Sequence, residues 1–145
     1  MNKDESPTHE LARYRFGVVT SHEAPAHLEL RWLPATGQMT DEDWKAGLLT
    51  LAAEAEASGR AGILIDATDF RHGFTDRDGA MAWRDQHVIP RYNEAGVQRF
   101  AFLMPEGFPA PTAETGAEPV VDGPAARFPT QWFLGRDLAL AWLKG

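Results

Sequence analysis

The chain has 145 residues, 43% of them apolar, and its 14 basic and 21 acidic side chains give a net charge of −7. That length and apolar share suit one domain with a real core, and the acidic balance argues against a protein that grips nucleic acid or an anionic lipid surface. With no cysteine, disulfides, thiolate metal sites and thiol nucleophiles are excluded. The start of the chain lacks the apolar core of a signal peptide, and no run of about 18 apolar residues is present to form a spanning helix. A cytoplasmic protein is the expectation.

Residues 1–11 read as a flexible tail, and 12–145 as the domain. Tyr14, Phe16 and Val18 alternate with Arg15 and Gly17, and after the loop Ser21 to Ala26 the residues Leu28, Leu30 and Trp32 alternate with Glu29 and Arg31. Period-two alternation is the mark of a half-buried strand, so the two runs predict an antiparallel hairpin with one wetter face. Thr40-Asp41-Glu42-Asp43 is a helix start: the threonine can cap free amides and the acids favour the positive end of the helix dipole. Trp44, Leu48, Leu51, Ala52 and Ala55 then share one helical face, and Ser58-Gly59 stops the helix. The run Ile63-Leu64-Ile65 is a buried strand, so strand, helix and strand make a parallel βαβ unit with a right-handed crossover.

A second helix begins near Thr75 or Asp76 and carries Met81 and Trp83. Pro90 predicts a break near Ile89 and suits the first turn of a short third helix that Gly96 ends. Phe100 to Met104 is another buried strand. Glu106 to Phe128, rich in Pro, Gly and Ala, has no apolar period and predicts a long loop, with room for a short helix near Thr112 to Gly116. Gln131 to Leu134 is a last strand, and Gly135-Arg136-Asp137 opens a helix whose buried face is Leu138, Ala139, Trp142 and Leu143. The order is β-β-α-β-α-(α)-β-loop-β-α, or β-β-α-β-α-β-α-β-α with the short loop helix counted. It predicts a small mixed α/β sheet, an N-terminal antiparallel hairpin followed by parallel strands, with helices packed on it.

The ending Phe133-Leu134-Gly135-Arg136-Asp137-Leu138, closing in Ala139-Leu140-Ala141-Trp142-Leu143, together with the strand-terminal pair Ile65-Asp66, resembles the STAS-like proteins. The closer likeness is to the SpoIIAA-like branch of bacterial proteins, those similar to the sporulation anti-anti-sigma factor, over roughly residues 12–143. The resemblance implies a non-catalytic regulatory module. In anti-anti-sigma factors a phosphorylatable serine at the start of the second helix switches binding to a kinase. Here Phe74-Thr75-Asp76-Arg77-Asp78-Gly79 keeps Asp76 and Gly79 but puts Arg77 at the serine position, and arginine accepts no phosphate. The switch role is therefore not carried over.

Chemistry is densest in Gly62 to Gly79, where Asp66, Thr68, Asp69, Arg71, His72, Thr75, Asp76, Arg77 and Asp78 follow the buried strand. In open α/β sheets ligands bind beyond the carboxyl ends of strands, and Asp66, Met104-Pro105 and Leu134-Gly135 are such ends. Asp66, Thr68, Asp69, His72, Thr75, Arg77, Asp78 and Trp83 are thus the candidate ligand- or partner-binding residues. Trp83 or Trp132 can line an apolar pocket with Phe100 or Phe108. No nucleotide-binding glycine loop, serine elbow or metal-ligand spacing appears, so no cofactor, metal or catalytic residue is assigned. His9, His22, His27 and His87 are scattered and read as surface or core residues. Three functions follow: a module binding a partner protein or small ligand at the central loop, a carrier of an apolar or lipid-like molecule between helices and sheet beside Trp83, and an enzyme built on Asp66, Asp69 and His72. The hairpin leaves a sheet edge that a second copy would cover, as a homodimer.

Overall fold

The structure is a computed structural model that describes residues 8–121 and 125–145. Strands β1 (Thr8–Tyr14), β2 (Gly17–Glu23), β3 (Ala26–Trp32), β4 (Gly62–Asp66), β5 (Arg99–Leu103) and β6 (Thr130–Phe133) form one sheet in which spatial order equals chain order. β1, β2 and β3 pair antiparallel, while β3, β4, β5 and β6 pair parallel. Helices α1 (Asp41–Ser58), α2 (Arg77–His87), α3 (Ile89–Ala95) and α4 (Arg136–Lys144) complete the mixed α/β fold that the sequence predicts. None of the described helices is long and apolar enough to cross a membrane.

Strand alternation sorts the sheet into two faces. Leu28, Leu30, Ile63, Ile65 and Phe100 face one way, into a core with Trp44, Leu48 and Leu51 of α1 and Ile89 and Tyr92 of α3. Leu64, Ala101, Leu103 and Phe133 face the other way, against Ala139 and Leu143 of α4. Helix α1 starts where the sequence puts it. Thr40 and Asp43 form a reciprocal capping box, Asp43 N–H donating to Thr40 Oγ1 at 3.1 Å and Thr40 N–H to Asp43 Oδ2 at 2.9 Å. It ends at Gly59 in the left-handed conformation, φ 65°. Midway, Gly47 lets the helix backbone approach β1 and β3 closely: a Cβ there would collide with Tyr14 Oη and lie 2.6 Å from the Trp32 ring. The break around Pro90 also falls as predicted, between His87 and Ile89.

Four details depart from the sequence expectations. The run Tyr14 to Val18 is not one strand: it straddles the turn between β1 and β2, because alternation continues across a two-residue turn and hides it. β1 consequently takes in residues 8–11 of the expected tail, and residues 1–7 lie outside the described residues. The face expected to be wetter is covered by α4, so Glu29 is only 6% exposed. Finally, α4 turns just Ala139 and Leu143, one helical step apart, fully inward; Leu138 is 45% exposed and Trp142 half-buried, its ring against Phe133 at 5.7 Å. The described residues of 106–128 are irregular, as expected, apart from a 3-10 turn at Ala113–Thr115 and a bridge from Val120 to Thr130, and residues 122–124 lie outside the described residues.

Candidate functional site

The loop from β4 to α2 is built by three anchors. At its start, Asp66 Oδ1 accepts from both the backbone N–H (3.0 Å) and the hydroxyl (2.7 Å) of Thr68. In its middle, the fully buried Thr36 hydroxyl accepts from Arg71 N–H at 2.9 Å and lies 3.4 Å from the Asp69 carbonyl. At its end, Asp41 from the first turn of α1 gathers three donors. Its Oδ1 takes His72 Nε2 at 2.8 Å and Thr75 N–H at 3.1 Å, and its Oδ2 takes Asp76 N–H at 2.9 Å. Those donors, the Asp76 amide foremost, hold the Asp41 carboxyl below the usual carboxylate range. Asp76 in turn caps α2 through Gly79 N–H at 3.0 Å. The polar side chains of the loop therefore act chiefly on the loop itself.

What the loop holds up is aromatic. Phe70 and Phe74 pack edge-on to Trp32 and Trp44 at 5.4 and 5.0 Å, and with them wall a cavity of about 630 Å³ between the helices and the sheet. Its floor is one face of the parallel strands, from Phe100 of β5 and Thr130 of β6 along to Ile65, Phe102 and Trp132, and on to Ala67 after β4 and Met104 after β5. The long loop closes the far side with Phe108 and Phe128. Asn93 of α3 fixes that loop, donating to Ala125 O at 2.8 Å and accepting from Arg127 N–H at 3.0 Å. Ten of the twenty lining residues are aromatic, so the cavity offers ring faces rather than a plain aliphatic surface. Polar groups are few: Arg77, Arg84 and Asp85 on α2, Thr130 on β6, and Tyr92. Tyr92 Oη is buried without a hydrogen-bond partner among the described residues, and burial pushes its phenol far up from the ordinary value. Arg77 has only the Phe74 ring beside it, at 5.8 Å, with no carboxylate in ion-pair range among the described residues.

The sequence-predicted site residues thus separate. Arg77 reaches the cavity. Thr68, Asp69, His72 and Thr75 hold the loop that walls it. Asp78 is exposed in the first turn of α2. Trp83 lies outside the lining, against Trp44 at 6.3 Å with Lys45 over its ring at 5.4 Å, whereas Trp132, Phe100 and Phe108 do line the cavity. Asp66 points to the opposite face, where its Oδ2 receives Arg136 Nη2 at 2.7 Å. Asp66, Asp69 and His72 are not gathered as a metal-ligand group, and Asp66 and His72 serve different partners. Sequence reasoning missed Asp41 and Arg136. Asp41 was legible only as a helix-start acid, and nothing local in Gly135-Arg136-Asp137 marks the arginine as a bridge to strands far upstream. No family model matches the sequence, and no curated protein and no solved structure matches the chain.

Proposed function

We propose that the chain is a non-catalytic binding module, of the STAS-like kind that its terminal motif resembles, which holds one apolar, ring-bearing small molecule between its helices and its sheet. The cavity carries this reading. Its volume falls within the usual range of small-molecule sites, about 300–1,000 Å³, and such sites are mostly apolar with a few placed polar groups. It lies over the face of the sheet and extends to the carboxyl ends of β4 and β5 at Ala67 and Met104, the side on which open α/β sheets bind ligands. Arg77, free of any carboxylate partner among the described residues, favours a ligand with an acidic group at the cavity's α2 side. A non-catalytic role fits the candidate acids and bases being committed to holding the loop.

Trp32, Trp44 and Trp132 line the cavity and serve as reporters. Titration with 1-naphthoate should quench tryptophan fluorescence saturably at one equivalent per chain. Ala67→Phe, which fills the floor, should abolish the quenching with little change in the urea midpoint, and Arg77→Ser should weaken it about tenfold while leaving stability within about 0.5 kcal/mol. A signal that survives Ala67→Phe would refute the cavity as the binding site.

A further inference from the structure

On the opposite face of the sheet from the cavity, His22 of β2 and His27 of β3 are cross-strand partners, and Glu29 follows two residues along β3 on the same side. One nitrogen of each imidazole and one Glu29 carboxylate oxygen all lie within 4.8 Å of one another. We propose that His22, His27 and Glu29 form a binding site for a divalent transition-metal ion, with zinc the best fit, its fourth position open to water. Two imidazoles and a carboxylate are a recognised zinc donor set.

Two further observations converge on the site. First, His27 is 1% exposed and its Nδ1 lies 2.6 Å from the Pro25 carbonyl. That contact makes Nδ1 the protonated nitrogen and leaves Nε2 as a lone pair, and Nε2 is buried with no partner among the described residues. A backbone carbonyl fixing one imidazole nitrogen is how proteins orient histidine ligands. Second, the local charge is short of a cation. Arg136 reaches Glu29 through Nη1 at 2.8 Å and Nη2 at 3.1 Å, and Asp66 through Nη2 at 2.7 Å. Two carboxylates only 7% and 6% exposed thus share one guanidinium, leaving the hydrogen-bonded triad one negative charge over. An unbalanced charge out of water is costly.

The spacing is near what a metal needs. His22 Nε2 already lies 3.6 Å from Glu29 Oε1, against roughly 3.3 Å between ligands of a tetrahedral zinc with bonds of about 2.0–2.1 Å. The two rings are stacked, 4.5 Å apart and 4° from parallel, so one must turn for both lone pairs to meet at one ion. His22 is the one able to turn: its side chain is 23% exposed, and among the described residues it is held by the hydroxyls of Thr8 and Thr20, its contact with Glu29 and its stack on His27. Glu29 Oε1 has lone pairs for both the metal and Arg136, so the guanidinium stays in place.

The test uses the full chain, stripped with chelator and then titrated with zinc chloride by calorimetry and with cobalt(II) by visible absorption. One zinc per chain at micromolar affinity or better is expected, with cobalt giving the intense visible bands of a four-coordinate site. His22→Gln should weaken binding at least tenfold, and His27→Gln likewise if it folds; His22 is exposed enough that its variant keeps the fold. His9→Gln and His87→Gln should bind as the parent does. No stoichiometric uptake, or uptake unchanged in His22→Gln, overturns the site, and neither result bears on naphthoate binding across the sheet.

Discussion

Arg136→Met removes the guanidinium that Glu29 and Asp66 share while keeping most of the side-chain volume. Three charge-assisted hydrogen bonds of 2.7–3.1 Å are lost. Stripping one partner from a buried ion pair costs about 3–5 kcal/mol, because the remaining charge stays desolvated. The Arg136 side chain is itself 40% exposed, so water reaches part of the gap, and about 2–3 kcal/mol is the expected loss for the metal-free protein. Urea unfolding in the presence of chelator measures it as a fall in midpoint at constant slope. Glu29→Gln in the same background should recover about 1 kcal/mol of the deficit, since the double variant leaves one buried carboxylate rather than two. A loss below about 1 kcal/mol for Arg136→Met would mean that both carboxylates are well solvated, and the charge imbalance that draws a metal to this face would go with it.

Gly47→Ala should be one of the most damaging single-methyl changes in the chain, at about 2–4 kcal/mol by thermal melting, because the new Cβ meets Tyr14 and the Trp32 ring where α1 lies closest to the sheet; a neutral result would place α1 farther out. Acid should destabilise the metal-free protein earlier than carboxylates alone would. The folded-state pKa values of His22 and His27 are depressed, by burial first, with Arg136 (and, at His22, Arg60) adding to it and Glu29 opposing. The unfolded chain therefore binds their protons first: stability is complete above about 6.5 and falls as pH drops below it, by up to about 1.4 kcal/mol per pH unit for each imidazole. Urea midpoints between pH 7.5 and 5.5 follow the loss, which His22→Gln should reduce; a flat profile would show that the imidazoles protonate without penalty.

The elements that the sequence announces are those with local chemistry. α1 carries its stop and start in Thr40, Asp43 and Gly59, the break between α2 and α3 is written in Pro90, and Ile63 to Ile65 can only be a strand buried on both faces. The first hairpin was illegible for an equally local reason: Arg15 and Phe16 turn the chain without a glycine–asparagine pair, and the alternation runs straight through them. The cavity was half legible. Phe100, Phe108 and Trp132 line it as the aromatic pattern suggested, but Trp83, beside which the pocket was expected, lies outside it, and the polar loop turned out to be a brace, because what Asp41 and Thr36 bind is fixed only in three dimensions. The His22, His27 and Glu29 cluster was hidden by register: His27 and Glu29 share a face by simple alternation, yet only the pairing of His22 with His27 makes three scattered residues into neighbours.

Each strand of the sheet pairs with the one just before it in the chain. The two hairpins close short turns, whereas each parallel pairing closes a crossover that carries helices or a long loop, the slower kind of contact. Arg136 ties across that order, meeting Glu29 over 107 positions of chain and Asp66 over 70. Without α4, Glu29 and Asp66 would lie on an uncovered face of the sheet while the face over α1 and α3 stayed packed. Residues 136–144 thus act as a keystone for one surface of the sheet and leave the other untouched.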